Sequence, residues 1–142
     1  ASFMFDKCIY FNLNALVRDL NKVWEEQFSE TGLTPPLGYL LALILKSPGL
    51  SQKEVGAALN LDRSTITRFL ESLEKEKLVR RETSTKDGRV INVYPTKKAE
   101  GLKTKLEKAF QNLSAKVDKK LASNDVRDLL KLASKVRTDL GS

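Results

Sequence analysis

The sequence has no histidine and one cysteine, Cys8, among its 142 residues. It therefore cannot build a Cys/His zinc site, an iron–sulfur cluster or a catalytic site that uses histidine as a base. A single cysteine cannot close an intramolecular disulfide. The longest uncharged apolar stretch, Leu37 to Leu45, is about half the length of a membrane-spanning helix. We expect a protein without metal, cofactor or membrane segment.

Signals of export and of catalysis are also missing. The N-terminus has no basic region followed by an apolar stretch and a cleavage site, so we expect no signal peptide and a soluble cytoplasmic protein. None of the seven glycines precedes Lys-Ser or Lys-Thr, and no G-x-G-x-x-G or G-x-S-x-G motif occurs. The sequence therefore predicts a protein that is not an enzyme and has no catalytic residues.

The charge that is present is positive and unevenly spread. With 25 Lys and Arg against 18 Asp and Glu, the net charge is +7, and residues 96–120 alone carry eight lysines and three acidic residues. A pI near 9.5 favours a polyanionic partner, usually a nucleic acid. The alternative is that the lysine-rich helix simply has a solvated face.

Apolar periodicity and capping signals predict a mainly α chain with one small β-hairpin, an α+β fold. The predicted elements are a helix over 6–30 stopped by Gly32, a helix over 35–46 capped by Thr34, a short helix from a Ser51–Glu54 capping box to Ala58, a helix from Asp62 to about Lys77, strands over 79–84 and 89–94, a helix from Thr96 to about Leu121 and a last helix capped by Ser123 or Asn124. Asn60 stands where the turn needs a left-handed residue, and we expect Pro95 to stop the second strand.

The segment from Leu50 to Leu73 has the layout of a helix-turn-helix. Its second helix places its apolar residues on one face: Ile66, Phe69, Leu70 and Leu73. The opposite face carries small hydroxyls and an arginine: Ser64, Thr65, Thr67 and Arg68. Small side chains let a helix enter the DNA major groove, and arginine can pair with guanine through two hydrogen bonds. This face is the predicted base-reading surface.

A hairpin with a basic tip, Lys86-Asp87-Gly88-Arg89, follows this helix directly. A helix-turn-helix followed by such a hairpin is a winged helix, and an arginine at its tip suits a narrow minor groove. Arg80 and Arg81 at the base of the hairpin either hold phosphates or form surface ion pairs.

These features together resemble the MarR (multiple antibiotic resistance regulator) family of bacterial transcription regulators. The resemblance is carried by residues 50–56, 61–68 and 73–81 and by Asp87-Gly88-Arg89 with Val90, Val93, Thr96 and Gly101. The family commonly has glycine where Lys77 stands, so here a residue with a side chain must make that turn.

The resemblance implies a homodimer in which the first, fifth and sixth helices of each subunit intertwine and two winged helices straddle a pseudo-palindromic operator. The broad apolar stripes of these helices independently indicate a dimer. We expect a single domain over 1–142, with dimerisation helices in 6–31 and 96–142 and a winged helix-turn-helix over 35–95. The resemblance implies base readers in the face defined above and Arg89 in the minor groove, with Asp87 shaping the tip. Arg63 and Lys86 complete the DNA-binding set.

Two further sites follow from the resemblance. Some family members sense oxidants through a cysteine in the first helix, so Cys8 is either a redox sensor or an ordinary apolar residue. Many members bind a small lipophilic or aromatic effector between the dimer helices and the winged helix. The candidate lining residues are Tyr10, Asn14, Trp24, Tyr39 and Leu43, each of which could equally be plain core.

The sequence thus predicts a dimeric, sequence-specific DNA-binding transcription regulator, a repressor relieved by a small ligand or an oxidant. The alternative is a winged-helix protein-interaction module without sequence-specific DNA binding. The expected partners are double-stranded DNA, a second copy of the chain and a small effector, with no metal and no cofactor.

Overall fold

The computed structural model describes residues 4–141. Residues 1–3 and 142 of the predicted single domain lie outside that range. The elements are α1 (Ile9–Phe28), a 3₁₀ turn (Ser29–Thr31), α2 (Pro35–Lys46), α3 (Gln52–Ala58), α4 (Arg63–Lys75), β1 (Val79–Thr83), β2 (Ile91–Pro95), α5 (Lys97–Glu100), α6 (Lys103–Lys120) and α7 (Ser123–Leu140). The predicted fold class, mainly helical with one antiparallel hairpin, is confirmed. The chain divides into two compact units, one ending at Ala109 and the other starting at Phe110.

The core of the first unit is built around α2, which contacts α1, α3, α4, α5 and β2. Pro35 occupies its first turn, where a missing backbone N–H costs no hydrogen bond. Its buried residues are Pro35, Gly38, Leu40, Leu41 and Ile44. Leu70 and Leu73 of α4 and Val93 of β2 are also buried. Burial of this apolar surface is the main driving force that holds the winged-helix elements together.

The first helix is shorter than predicted at its start. It begins at Ile9, and Cys8 is its N-cap residue and not part of the helix. The reason is local: the Cys8 N–H bonds back to the Phe5 carbonyl at 3.0 Å in a turn, and helical bonding starts from the Cys8 carbonyl. At the other end Gly32 is left-handed (φ 73°), as its predicted role as a stop requires.

The helix-turn-helix forms through local hydrogen bonds that the sequence predicts well. Ser51 and Glu54 make a reciprocal capping box at the start of α3. Asn60 is left-handed (φ 56°), and the Leu61 N–H bonds to the Gly56 carbonyl at 2.9 Å across the turn. A Cβ at Gly56 would lie 3.3 Å from the Leu61 oxygen. The absence of a side chain there lets the chain fold back closely.

The end of α4 is held by its own backbone and by the start of α5. The helix ends at Lys75, two residues earlier than predicted, and Lys77 is left-handed (φ 60°). The Leu78 N–H bonds to the Leu73 carbonyl at 2.9 Å and the Lys77 N–H to the Glu74 carbonyl at 2.8 Å, the pattern of a Schellman cap.

Two side chains from the start of α5 complete this cap. The Thr96 hydroxyl donates to the Lys77 carbonyl at 2.7 Å, and Lys98 Nζ donates to the Glu76 carbonyl at 2.8 Å. Carbonyl groups that a helix end leaves unpaired are therefore satisfied from the next helix along the chain.

The hairpin pairs β1 with β2 in antiparallel register, with Arg81 opposite Val93 and Val79 opposite Pro95. The prediction that Pro95 stops the strand is corrected: it is the last paired residue. It is tolerated at the strand end because proline lacks only the N–H that would continue the ladder. Residues 49–51 also pair with β2, since the Val93 N–H bonds to the Leu50 carbonyl at 2.9 Å. The root of the wing is thereby tied to the start of α3.

The single helix predicted from Thr96 is in fact two. Thr96 caps α5 as expected, but α5 ends at Glu100. The Leu102 N–H bonds to the Ala99 carbonyl, three residues back, next to Gly101, a residue with poor helix propensity. The last helix also differs from the prediction: its N-cap is Ala122, not Ser123 or Asn124. The Val126 N–H bonds to the Ala122 carbonyl, so helical bonding starts one residue earlier.

No helix within residues 4–141 combines the length and the apolar character needed to cross a membrane.

Gly38→Ala should destabilise the first unit although alanine favours helices by about 1 kcal/mol. A Cβ at Gly38 would overlap the ring of Phe28, which is fully buried and lies against the tilted ring of Tyr39 at 5.9 Å between centroids. We expect a net loss of about 1–2 kcal/mol in the free energy of unfolding, measured in urea, because overpacking typically costs about 1–3 kcal/mol. The control is Gly88→Ala, where a Cβ meets no atom within 4 Å. A stabilised Gly38→Ala variant would contradict this packing.

Candidate nucleic-acid interface

Burial of one face of α4 turns the predicted base-reading surface outwards. Ile66 and Leu70 are buried, whereas Ser64 and Arg68, on the opposite face, are exposed. Arg63 in the first turn is also exposed, and Thr65 and Thr67 are half-buried. The structure therefore brings five of the predicted DNA-binding residues together in the N-terminal half of α4, with Thr65 and Thr67 less exposed than Ser64.

The start of α4 is capped by Asp62, whose carboxylate accepts the Thr65 backbone N–H at 2.7 Å and the Ser64 hydroxyl at 3.1 Å. Hydrogen bonds from Thr65, and then from Ser64, lower the pKa of the Asp62 carboxyl below its ordinary 3.8. Asp62 therefore fixes the first turn of α4 and orients the Ser64 hydroxyl. Its negative charge also complements the positive end of the helix dipole.

The side chain of Arg68 projects one turn further along α4. Its guanidinium carbon lies 5.7 Å from the centre of the Phe69 ring, which is within the range of a cation–π contact. This contact orients the side chain without consuming its hydrogen-bond donors. The guanidinium can therefore still donate two parallel hydrogen bonds to a base edge.

Thr67 differs from its neighbours because its hydroxyl already has two partners. It donates to the Arg63 carbonyl at 2.8 Å and accepts from Gln52 Nε2 at 3.0 Å. Gln52 was not among the predicted site residues. The capping box that places it in the first turn of α3 was the only sequence signal that could have located it.

The predicted wing residues lie at the exposed tip of the hairpin. The Arg89 side chain is 93% exposed, with Nε 3.3 Å from Asp87 Oδ1, and the Arg89 N–H bonds to the same oxygen at 3.0 Å. Asp87 thus shapes the tip, as the family resemblance implied. Lys86 is exposed too. Both strands are shorter than predicted, which leaves Arg89 in the loop where it can reach away from the sheet.

A groove of about 600 Å³ separates the wing from the helix-turn-helix. Its lining includes the cations Lys53, Arg63 and Arg89 together with Gly56 and Ile66. Three cations that line one groove are suited to bind backbone phosphates, which are the commonest partners of such side chains on DNA.

Arg80 and Arg81 both have acidic partners. Arg80 pairs with Glu82 and lies 4.5 Å from the centre of the Tyr94 ring. Arg81 Nε donates to Glu74 Oε1 at 2.8 Å. Of the two roles left open from the sequence, ion pairing is the one that these contacts form.

The residues proposed for an effector pocket are only partly brought together. Trp24 and Tyr39 line one groove of about 370 Å³ with Val17, Leu59 and Leu61 among others, and Trp24 Nε1 donates to the Tyr39 hydroxyl at 3.0 Å. The remaining candidates, Tyr10, Asn14 and Leu43, do not line it.

Two of these outlying candidates sit on α1. Tyr10 is 77% exposed, and Asn14 uses its amide to donate to the Tyr10 carbonyl at 2.7 Å. Cys8, the redox candidate, is an exposed free cysteine at the N-cap of α1.

A helix-turn-helix with an outward polar face, followed by a hairpin with a basic tip, defines a winged helix-turn-helix protein. Residues 31–90 match the model of the MarR family. The chain is 31% identical over 102 residues to the HTH-type transcriptional regulator TtmR of Methylorubrum extorquens (strain PA1), a match that spans 72% of this chain and about half, 52%, of TtmR.

Solved structures are similar over almost the whole chain. The transcriptional regulator PcaV from Streptomyces coelicolor, in complex with its natural ligand, superimposes with a TM-score of 0.83 at 22% identity, covering 97% of each chain. A mutant MarR from E. coli complexed with operator DNA gives 0.79 at 22% identity, covering 95% of this chain and 99% of that one. The winged-helix segment over residues 31–90 is therefore similar to the MarR family, and the fold as a whole is that of these transcriptional regulators. The chain's curated relatives are transcriptional regulators, in agreement with the prediction that the chain is not an enzyme.

Asp62→Asn should make the free energy of unfolding less dependent on pH in the acidic range. Because the folded-state pKa of Asp62 is lowered, the stability that its carboxylate contributes is present above its ordinary pKa of 3.8 and is lost as the pH falls through the lower folded value. Asparagine can cap the helix but does not titrate. Urea unfolding between pH 7 and pH 3 should show a less stable variant at neutral pH and a difference that narrows below about pH 4.

Asp62→Ala serves as the matched variant for this measurement, since it removes the cap as well as the charge. At neutral pH this variant should lose more free energy of unfolding than Asp62→Asn does. Its difference from the wild type should narrow over the same pH range. A difference between wild type and Asp62→Asn that stays constant with pH would show that the cap does not titrate.

Proposed function

We propose that the chain is a dimeric, sequence-specific DNA-binding transcription regulator, and that it acts as a repressor. The observation that carries the proposal is the outward face of α4, where Ser64 and Arg68 are exposed beside the basic tip of the wing. In this proposal α4 enters the major groove, Ser64, Thr65 and Arg68 meet base edges, and Arg89 enters the adjacent minor groove. Arg63 and Lys86 hold phosphates.

Exposed apolar residues support the proposal of a dimer. On α1 they follow a helical spacing on one face: Ile9, Leu13, Val17 and Leu20. In the second unit, no residue of α7, which is described over its full length, is buried. Its exposed leucines are Leu129, Leu130, Leu132 and Leu140. Long amphipathic helices with uncovered apolar faces are typical of obligate interfaces, so we assign residues 6–31 and 96–142 to dimerisation and 35–95 to DNA binding.

Relief by a small lipophilic or aromatic effector is proposed on the groove that contains Trp24 and Tyr39. Its lining is mainly apolar, with two polar groups that could orient a ligand. The structure of PcaV with its natural ligand supports an effector for a protein of this fold. Binding would favour one separation of the two recognition helices over another and so change affinity for the operator. Because Trp24 and Tyr39 belong to this groove, they are our proposed effector residues.

Selection of bound sequences from random DNA tests sequence-specific DNA binding and dimerisation in one experiment. A dimer should select a two-fold symmetric site whose half-sites lie about 10 bp apart, one helical turn on the same face. Leu13→Glu should weaken both the dimer and the symmetric selection, as followed by sedimentation. Lys22→Glu, on the opposite face of α1, should leave both intact. An unsymmetric or absent selected site overturns the proposal.

Repeating the selection with aromatic carboxylates present tests relief by an effector.

Arg68→Ala and Arg89→Ala should each weaken binding to the selected site by about 1–3 kcal/mol, the usual value of a specific base contact. The measurement is a titration at fixed salt, with Arg127→Ala in α7 as the matched arginine control. Wild-type affinity should also fall steeply as salt rises. Affinity that is insensitive to salt favours the alternative, a protein-interaction module, and unchanged affinity in the two variants rejects the assigned reading roles.

A further inference from the structure

Four side chains form a continuous hydrogen-bonded chain behind the base-reading face of α4. Arg81 on β1 donates through Nε to Glu74 Oε1 at 2.8 Å and through Nη1 to Gln52 Oε1 at 3.4 Å. Gln52 Nε2 on α3 donates to Thr67 Oγ1 at 3.0 Å. The Thr67 hydroxyl donates to the Arg63 carbonyl at 2.8 Å. These hydrogen bonds therefore link α3, α4 and the first strand of the wing.

The donors and acceptors of these four side chains fix the orientation of the Gln52 amide and of the Thr67 hydroxyl. Gln52 must present its oxygen to Arg81 and its nitrogen to Thr67, because arginine cannot accept a hydrogen bond. Thr67 has one hydroxyl proton, and the Arg63 carbonyl takes it. Towards Gln52 the hydroxyl can only accept. Hydrogen bonds in one direction along a chain strengthen one another.

The Arg81–Glu74 pair lies in a position where an ion pair can restrain the backbone. The two side chains are only 23% and 33% exposed, whereas the neighbouring Arg80–Glu82 pair is more than half exposed at both members. Exposed pairs contribute little, while shielded pairs with additional hydrogen bonds are stronger. Arg81 contacts two other members on different helices, Glu74 on α4 and Gln52 on α3.

We propose that Arg81 and Gln52 are positioning residues that fix the orientation of α4 relative to the wing, and that Thr67 belongs to this linkage and does not read bases. The linkage sets the distance between the base-reading face and the wing tip. Its effect on sequence specificity rests on the proposed function, whereas its effect on the free protein does not.

Hydrogen exchange of the free protein tests the linkage without DNA. Arg81→Lys keeps the charge but replaces the planar fork by a single ammonium that cannot hold Glu74 and Gln52 in the same geometry. We expect amides of α4 and β1 to exchange about tenfold faster in this variant, and Arg80→Lys to leave them unchanged. Equal exchange in the two variants overturns the proposal, whether or not the protein binds DNA.

Binding to the selected site and to random DNA then tests specificity. In Arg81→Lys the ratio of specific to non-specific affinity should fall about tenfold, while the slope of affinity against salt on random DNA stays that of the wild type. If Arg81 instead held a phosphate, lysine would preserve the ratio, and that result overturns the positioning role. A wild-type protein without any specific site would refute the proposed function and leave the exchange result to decide the linkage.

A double-mutant cycle assigns the role of Thr67. Thr67→Val removes the hydroxyl with little change in shape. If Thr67 acts through Gln52, Thr67→Val should lower the specificity ratio in the wild type but have no further effect in Gln52→Leu. An undiminished effect in Gln52→Leu means that the hydroxyl meets DNA directly. Ser72→Ala is the matched control, because the Ser72 hydroxyl bonds within its own helix, to the Arg68 carbonyl.

Discussion

Burial of one face of α4 is the constraint on which the other features of this molecule depend. Ile66, Leu70 and Leu73 are enclosed by the core around α2, and their enclosure fixes the rotation of the helix about its axis. Because side chains on a helix recur every 3.6 residues, the same rotation exposes Ser64 and Arg68. The packing of the apolar face thereby determines which polar side chains of α4 are exposed to a ligand.

The features that the sequence predicted correctly depend on residues close together in the chain. The Ser51–Glu54 box, the Asn60 turn and the Asp87-Gly88 tip each rest on short-range hydrogen bonds, the longest of which joins Leu61 to Gly56. For the same reason the outward face of α4 could be predicted from spacing alone. The left-handed turn at Lys77 needed the family resemblance, since lysine by itself gives no signal for that conformation.

The features that the sequence did not predict depend on small differences between competing local structures or on contacts between distant residues. The break between α5 and α6 lies beside Gly101, a poor helix former, and a strong apolar stripe concealed it. At α7 the N-cap is Ala122, although Ser123 or Asn124 would satisfy the usual side-chain preference. The link between Gln52 and Arg81 joins residues 29 positions apart, and no local pattern encodes it. Net charge was also a weak guide, because the lysine excess of residues 96–120 lies outside the winged helix.

The bonds from Thr96 and Lys98 to the end of α4 have a mechanical consequence. They hold the carbonyls of Glu76 and Lys77 from the N-terminal end of α5, and the helix is interrupted soon afterwards at Gly101 and Leu102. A torque applied to α5 must break those bonds or turn the end of α4 with it. The short helix α5 therefore transmits its own rotation to the end of α4, and the helix break at residues 101–102 separates it from α6.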